Sequence, residues 1–492
     1  MRPSLRVTRK IFVVLLAALL AACGAGEESD VEIVAIGPPG SPFVNSGRLP
    51  VPAQLLRGAT AEGLVGLNGQ GLVIPGVADR WIVTDDGLSY IFRLRDAEWP
   101  DGNPITAESA RIALRQAIAM LRGTPLATDL DALEEIRVMT GRVIELRLAR
   151  PQPQLLILLA QPELGLLRKG RGTGPMRFHR DGNHAILTPI EPEKRGLPAV
   201  EDWPDRVRQL RFSALPADRA LEQYNHGQVN AVLGGGFEDF PLVDAAGLSR
   251  GAIRLDPVMG LFGLIFVHDD GFLATAENRE AVAMTIDRSR LAASFRVGGW
   301  LASNRIFPAG IEDEPANLVE RWATLNIADR RAVATARVTR WRAARTGPIR
   351  LRIAMPAGPG ADRLYANLAD DLAKAGLVAV RVGNDQPADL RLVDAVARYP
   401  RTVWFFNQLS CASRRGLCNS DVDRDLADAR VEADQTARAQ LVARAAIALI
   451  DANVFIPFGP PIRWSLVRGD VTGFYPNRLA YHPLMPLALR PR

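Results

Sequence analysis

The chain has 492 residues, which at roughly 150 residues per domain allows about three domains. With 48% hydrophobic and 23% charged residues, the composition is that of an ordinary globular protein; it excludes a disordered chain, a collagen and a polytopic membrane protein. Setting aside residues 1–22 removes Arg2, Arg6, Arg9 and Lys10, so the net charge falls from +6 to +2 (56 basic against 54 acidic residues), too small a surplus to suggest a nucleic-acid partner.

The basic start runs into IFVVLLAALLAAC, where residues 11–22 are all apolar. A bilayer helix needs about 20 apolar residues, so this run is too short to span and has the layout of an export signal. LAAC, residues 20–23, resembles a bacterial lipobox. That implies removal of residues 1–22 and a mature chain beginning at Cys23 with lipid on its sulfur; a short signal anchor is the alternative. Each buried methylene contributes about 0.8 kcal/mol, so more than one lipid chain would hold a soluble body at the membrane. Residues 24–30, GAGEESD, read as a tether.

Turn chemistry at Asp85-Asp86-Gly87 precedes LSYIFRL, residues 88–94, whose alternation predicts a half-buried strand. Thr106 is placed to cap an amphipathic helix with Ile112, Leu114, Ala117, Ile118 and Leu121 as its apolar stripe. Helices are predicted over 218–224 and 277–295 and strands over 231–233 and 261–267, which makes the class mixed α and β. In the last third, a strand over 349–355 is followed by GPG at 358–360, a helix over 361–375 and a capping Gly376. A strand over 403–409, helices over 420–433 and 436–450 and a strand over 454–457 complete a wound α/β lobe.

Chemistry-bearing residues are sparse. In an exported chain, Cys411 and Cys418, with six residues between them, read as a disulfide. His179, His184, His226, His268 and His482 are scattered and form no ligand pair, so no metal or other cofactor is expected. GLSRG at 247–251 matches the elbow that presents a nucleophile, here Ser249, with His268 or His482 as base, but its flanks read as loop and then strand instead of strand and then helix. DVDRDLADARVE at 421–432 has acids at several calcium-loop positions, yet Leu426 stands where the turn needs Gly. A helix capped by Asn419 or Ser420 accounts for those acids. No G-x-x-x-x-G-K-[ST] occurs, so any ATP hydrolysis belongs to a partner.

Four stretches carry a resemblance. They are EGLVGLNGQGLVIPGVADRWIVTDDGLSYIFRLRDAEWPDGNPITAESA at 62–110, GTGPMRF at 172–178, ALEQYNHGQVNAVLGG at 220–235 and NREAVAMTIDRSRL at 278–291. In this order they resemble the extracytoplasmic solute-binding proteins of peptide and nickel ABC importers, family 5. The resemblance implies an α/β fold, a two-lobed clamshell like the type II periplasmic binding proteins, with a small α+β domain appended to lobe one. It places lobe one at 31–48, 170–257 and 460–492, the appended domain at 49–169 and lobe two at 258–459. The function it implies is a monomeric, non-catalytic periplasmic lipoprotein that captures a peptide or related small solute and delivers it to an ABC permease driven by a separate ATPase. The alternatives are an envelope serine hydrolase using Ser249 and a non-transporting sensor or scaffold of the same fold.

DAVARYPRTVWFFNQLSC, 394–411, departs from that family. Peptide-binding relatives carry a motif resembling Ala-Asp-Tyr-x-Asp-Pro there, and Arg398 and Arg401 occupy its acidic positions. In those relatives the first carboxylate pairs with a peptide's α-amino group. A guanidinium would repel that ammonium and would suit an anionic or carboxylate-bearing solute; two solvated arginines are the other account. Strand alternation would send Trp404 and Phe406 to one face, as cleft wall or as core, with Phe405 opposite. Trp300 and Tyr475 are further wall candidates.

Overall fold

Three large sheets organise the computed structural model, which describes residues 30–247, 251–315, 318, 321–322 and 324–491. Cys23, the export signal and Ser249 lie outside the described residues. The first sheet has seven strands in the order Met176–Asp181, His184–Pro189, Leu210–Leu215, Val31–Ile36, Ala231–Gly235, Trp464–Val467 and Ile253–Leu255. Val31–Ile36 lies parallel to both of its neighbours, and Val31, Ile33, Val34 and Ala35 are buried, the near-continuous apolar run that a strand covered on both faces requires. Leu55, Leu56 and Ala59 of the helix Val51–Thr60 share a core with Ile33, Leu187 and Phe212. This helix therefore packs with the first sheet, although it lies within the span expected to open the appended domain.

An antiparallel sheet of four strands, ordered Ala78–Val83, Ser89–Leu94, Val143–Leu148 and Leu133–Thr140, stands apart from the first. Its central strand buries Tyr90, Phe92 and Leu94 as the alternation predicts. Gly87, at φ 69°, closes the turn before it, while the Asp86 carboxylate accepts from the Leu88 amide at 2.9 Å. Thr106 caps the helix Ala107–Met120 through a reciprocal pair of bonds with Ser109. The buried stripe of that helix is Ala107, Ala110, Ala113, Leu114 and Ala117, whereas Ile112 is exposed. The small alanines let the helix lie close to the sheet, a choice that hydrophobicity alone does not reveal.

The remaining large sheet has five strands in the order Leu377–Val382, Ile349–Ala354, Leu390–Val396, Gly260–Phe266 and Phe455–Gly459. The helix Pro359–Ala373 connects two of them, and Gly376, at φ 79°, ends the turn that follows it. The chain passes from the seven-stranded to the five-stranded sheet between Leu255 and Gly260 and returns between Gly459 and Trp464.

Two predicted elements differ. The segment expected as a helix over 277–295 is two helices, Ala276–Thr285 and Arg288–Phe295, because Ile286 is extended and the Asp287 side chain starts the second by accepting from the Arg290 amide. The segment expected as a strand over 403–409 is the helix Thr402–Leu409. Its apolar run TVWFFNQL suits either periodicity, and the helix is chosen because it is surrounded: seven of its eight residues are buried. Trp404 and Phe406 therefore do not share a strand face, and Trp404, Phe405 and Phe406 are all core residues.

A disulfide joins Cys411 to Cys418 in the loop after this helix. Asn419 then caps Ser420–Val431, and the acids of that helix are engaged: Asp423 accepts from the Cys411 amide, Asp421 pairs with Arg424 and Asp425 with Arg444. Among the described residues no helix is long and apolar enough to cross a membrane.

The helix Pro359–Ala373 meets the loop after Ala231–Gly235 at Gly360. Its amide donates to the Glu238 carbonyl at 2.7 Å, and a Cβ added there would stand 2.0 Å from the Phe237 carbonyl oxygen. Gly360→Ala should therefore cost about 1–3 kcal/mol by overpacking, read as a lower urea midpoint. An unchanged midpoint would show that the contact yields freely.

Candidate ligand-binding cleft

The end of the strand Leu390–Val396 sets the first functional side chain. After the Ala397 amide bonds the Met259 carbonyl the chain leaves the sheet, and Arg398 enters a cavity of about 330 Å³. Walls come from every part of the fold: Arg48 and Leu49 beside the first sheet, Gln161 and Glu163 beyond the four-stranded sheet, Arg398, Trp404 and Arg415 beside the five-stranded sheet, and Arg463, Trp464, Tyr481 and His482 from the returning chain. Arg398 and Trp404 thus share one cavity. Arg401 does not line it; its guanidinium pairs with Glu312 and Asp313, and Asp313 also accepts from the Thr402 amide at the start of the helix.

The other expected wall residues stand elsewhere. Phe406 packs against Phe307, with ring centroids 5.1 Å apart. Trp300 donates to the Pro460 carbonyl at 2.8 Å and packs edge-on against Phe262 and Phe295. Tyr475 is exposed, beside Gly69. None of the three lines the cavity. Arg48, Glu163, Arg415 and Arg463 carry no motif, and all but Arg415 come from parts of the chain distant from Arg398.

Charges around the cavity are unevenly matched. Arg463, partly buried, donates to Asp394 at 2.8 Å. Burial works against its charge, but Asp394, reinforced by Glu238 and Asp256, holds the guanidinium above its ordinary pKa. Burial, with Asp394 nearby, pushes the Glu238 carboxyl up. Asp256 accepts from the Asn477 amide at 2.9 Å and contacts His482 at 3.1 Å. Glu163 meets Gln54 at 3.3 Å and Arg398 at 3.5 Å through the same oxygen, and its other oxygen is buried without a partner. Trp404 Nε1 is likewise buried and unpartnered.

Arg415 donates to the Gln408 side-chain oxygen at 2.6 Å, and Arg48 to the Gly123 carbonyl at 2.9 Å. Burial, then the like charges of Arg48 and Arg398, depress the Arg415 pKa. Among the described residues no group of three or more His, Cys, Asp or Glu could hold a metal. The arrangement can bind and enclose a small molecule. The elbow reading of Ser249 also fails on its flanks, since the helix Phe240–Ala245 precedes it and the strand Ile253–Leu255 follows, the reverse of what a nucleophile elbow needs.

Beside the cavity, a buried network ties the five-stranded part to the appended one. Asp129 accepts from the Tyr399 hydroxyl at 2.8 Å and from the Asn407 amide at 2.9 Å, both on one oxygen. Burial raises the Asp129 pKa; those hydrogen bonds and the Arg398 charge oppose the rise without cancelling it.

The model of the bacterial extracellular solute-binding proteins, family 5, matches residues 73–390. The chain is 32% identical over 122 residues to the probable deoxycholate-binding periplasmic protein YgiS of Escherichia coli K12, covering 21% of this chain and 23% of that one. It is 24% identical over 259 residues to the periplasmic murein peptide-binding protein MppA of the same organism, covering 46% and 47%. The chain therefore spans from under a quarter to about half the length of these curated relatives. Among solved structures, Haemophilus influenzae OppA in complex with the peptide RPPGFSPFR superposes with a TM-score of 0.79 at 17% identity, over 94% of this chain and 99% of that one. Escherichia coli MppA superposes at 0.77 and 18% identity over 95% and 99%; its unliganded open form reaches only 0.64, also at 18%, over 94% and 98%. At such identities the likeness establishes the two-lobed periplasmic-binding-protein fold.

The folded chain holds the Asp129 proton more tightly than the unfolded chain, so this group supports stability fully below the ordinary carboxylate pKa and progressively less as pH rises through the raised value. Asp129→Asn keeps the accepting oxygen and should flatten that part of the pH–stability profile. Asp129→Ala leaves the Tyr399 hydroxyl and the Asn407 amide without an acceptor and should cost about 1–3 kcal/mol. Equal denaturant midpoints for the two variants across pH 4–8 would refute the assignment.

Proposed function

The chain belongs to the bacterial extracellular solute-binding proteins, family 5, and from that membership we propose that it is the substrate-binding subunit of an ABC importer. It captures a peptide or related small solute between its lobes and presents it to a membrane permease powered by a separate ATPase, with no chemistry of its own. The observation that carries this reading is a cavity of about 330 Å³ walled by both main sheets, which are joined through two short connections.

In this reading lobe one comprises residues 31–60, 170–257 and 460–492, the appended domain 61–169 and lobe two 258–459. Its support is that every strand of the seven-stranded sheet falls in the first set and every strand of the five-stranded sheet in the last. The connections at 256–259 and 460–463 are the hinge, where a few residues absorb the backbone change while the lobes stay rigid. A solute stabilises the closed form only by its differential affinity for it. Contacts such as Asp129 with Tyr399 are made across the closed cleft. The protein acts as a periplasmic monomer, and lipid on Cys23, the first mature residue, tethers it to the envelope membrane.

Mass spectrometry of protein purified without denaturation should reveal a small organic solute. Returned to solute-free protein, that solute should shrink the radius of gyration in solution scattering and stabilise the fold by about 2.7 kcal/mol at a hundredfold excess over its dissociation constant. Profiles that do not change with any co-purified solute would end the proposal. For the anchor, mass spectrometry of the mature N-terminus should find Cys23 as the first residue with lipid on its sulfur; an unmodified Cys23 would exclude a lipid tether.

A further inference from the structure

The cavity holds more positive than negative charge. Four guanidiniums line it, those of Arg48, Arg398, Arg415 and Arg463, against the carboxylates of Glu163 and Asp256. Arg463 is matched by Asp394, which stands behind it, Arg398 by Glu163 at 3.5 Å, and Asp256 by His482. Arg48 and Arg415 have only neutral oxygens as partners, the Gly123 carbonyl and the Gln408 amide. Among the described residues neither has a carboxylate within ion-pair distance, and the Arg415 Nε is buried with no partner at all. Trp404, 1% exposed, adds an unpartnered N–H donor to the same wall.

We propose that Arg48 and Arg415, flanked by Arg398 and Trp404 Nε1, form a carboxylate-binding site, and that the solute is an organic carboxylate with an apolar body and no free ammonium at Arg398. The proposal rests on the solute-binding reading above. An anion supplies the charge that these guanidiniums lack, and a planar carboxylate fits their donor forks. Burial depresses the Arg415 pKa most and the like charges of Arg48 and Arg398 add to it; an anion relieves that repulsion. Leu67, Trp464 and Leu479 offer apolar contact for the rest of the molecule. An ammonium at Arg398 would be repelled by its guanidinium, and the Glu163 oxygen that faces Arg398 is already shared between Arg398 and Gln54.

Calorimetry on the solute-free mature protein tests this with deoxycholate, N-acetyl-trialanine, N-acetyl-trialanine amide and unblocked trialanine. Both acids lacking an ammonium should bind, and the acetylated acid at least about tenfold more tightly than its amide or than trialanine, as expected for a charge-assisted bond. Arg415→Gln and, separately, the exposed Arg48→Gln should each weaken the acids about tenfold and leave the amide within about twofold, with Arg415→Lys restoring part of the loss. Circular dichroism melts confirm that each variant folds; Arg48→Gln decides should Arg415→Gln not fold. An amide that binds as well as the acid, tighter binding of trialanine, no binding of either acid, or variants that weaken acid and amide alike would each overturn the site. A co-purified solute with no carboxylate would overturn it too, while leaving the solute-binding reading standing; failure of that reading shows separately, as scattering that no co-purified solute alters.

Discussion

An aromatic cluster around Phe262 holds the two main sheets against each other, and the rest of the architecture depends on it. Phe237, from the loop after the strand Ala231–Gly235, packs at a tilt with its ring centroid 4.9 Å from that of Phe262 on the other sheet, and Phe458 closes edge-on on the same ring at 5.7 Å. Phe295 and Trp300 complete the group. Next to it, Gly263 lets two backbones approach until an added Cβ would lie 2.1 Å from the Ile456 carbonyl oxygen. One core therefore runs from Val34 and Val232 on the first sheet to Leu264 and Ile353 on the second. Close-packed interiors transmit displacement instead of absorbing it, so the hinge motion proposed above would concentrate in the short connections beside this core.

Polar pairing follows the same geography. Where the lobes meet, Arg463 and Asp394 satisfy one another, and burial makes that pairing necessary, since an uncompensated charge there would be costly. Further along the cleft the pairing becomes incomplete. Arg48 and Arg415 rely on neutral acceptors, and Glu163 has one oxygen without a partner. Groups left unsatisfied where space also remains are what a binding protein needs, because their partner arrives with the ligand.

Much of the scaffold was legible before the structure was known. The Asp85-Asp86-Gly87 turn, the Thr106 cap and the Gly376 terminus each follow from local chemistry that neighbours within a few residues decide. The helix Thr402–Leu409 was misread because its apolar run fits two periods, and only the surrounding core chooses between them. The same error assigned Phe406 to a wall that it does not form. Arg398 was singled out because it stands where the resembling family carries an acidic motif, whereas Arg48, far from it in sequence, and Arg415, beyond the helix Thr402–Leu409 and inside the disulfide loop, match no motif.

From its sequence alone the chain disclosed its family and its mixed α/β class, and it singled out Arg398. These rest on local patterns and on the order in which they occur. Tertiary structure decided which arginines share a cavity, which of them lack a carboxylate and which aromatic side chains are core. Such facts depend on distances between residues hundreds of positions apart, and those distances exist only once the two sheets have packed.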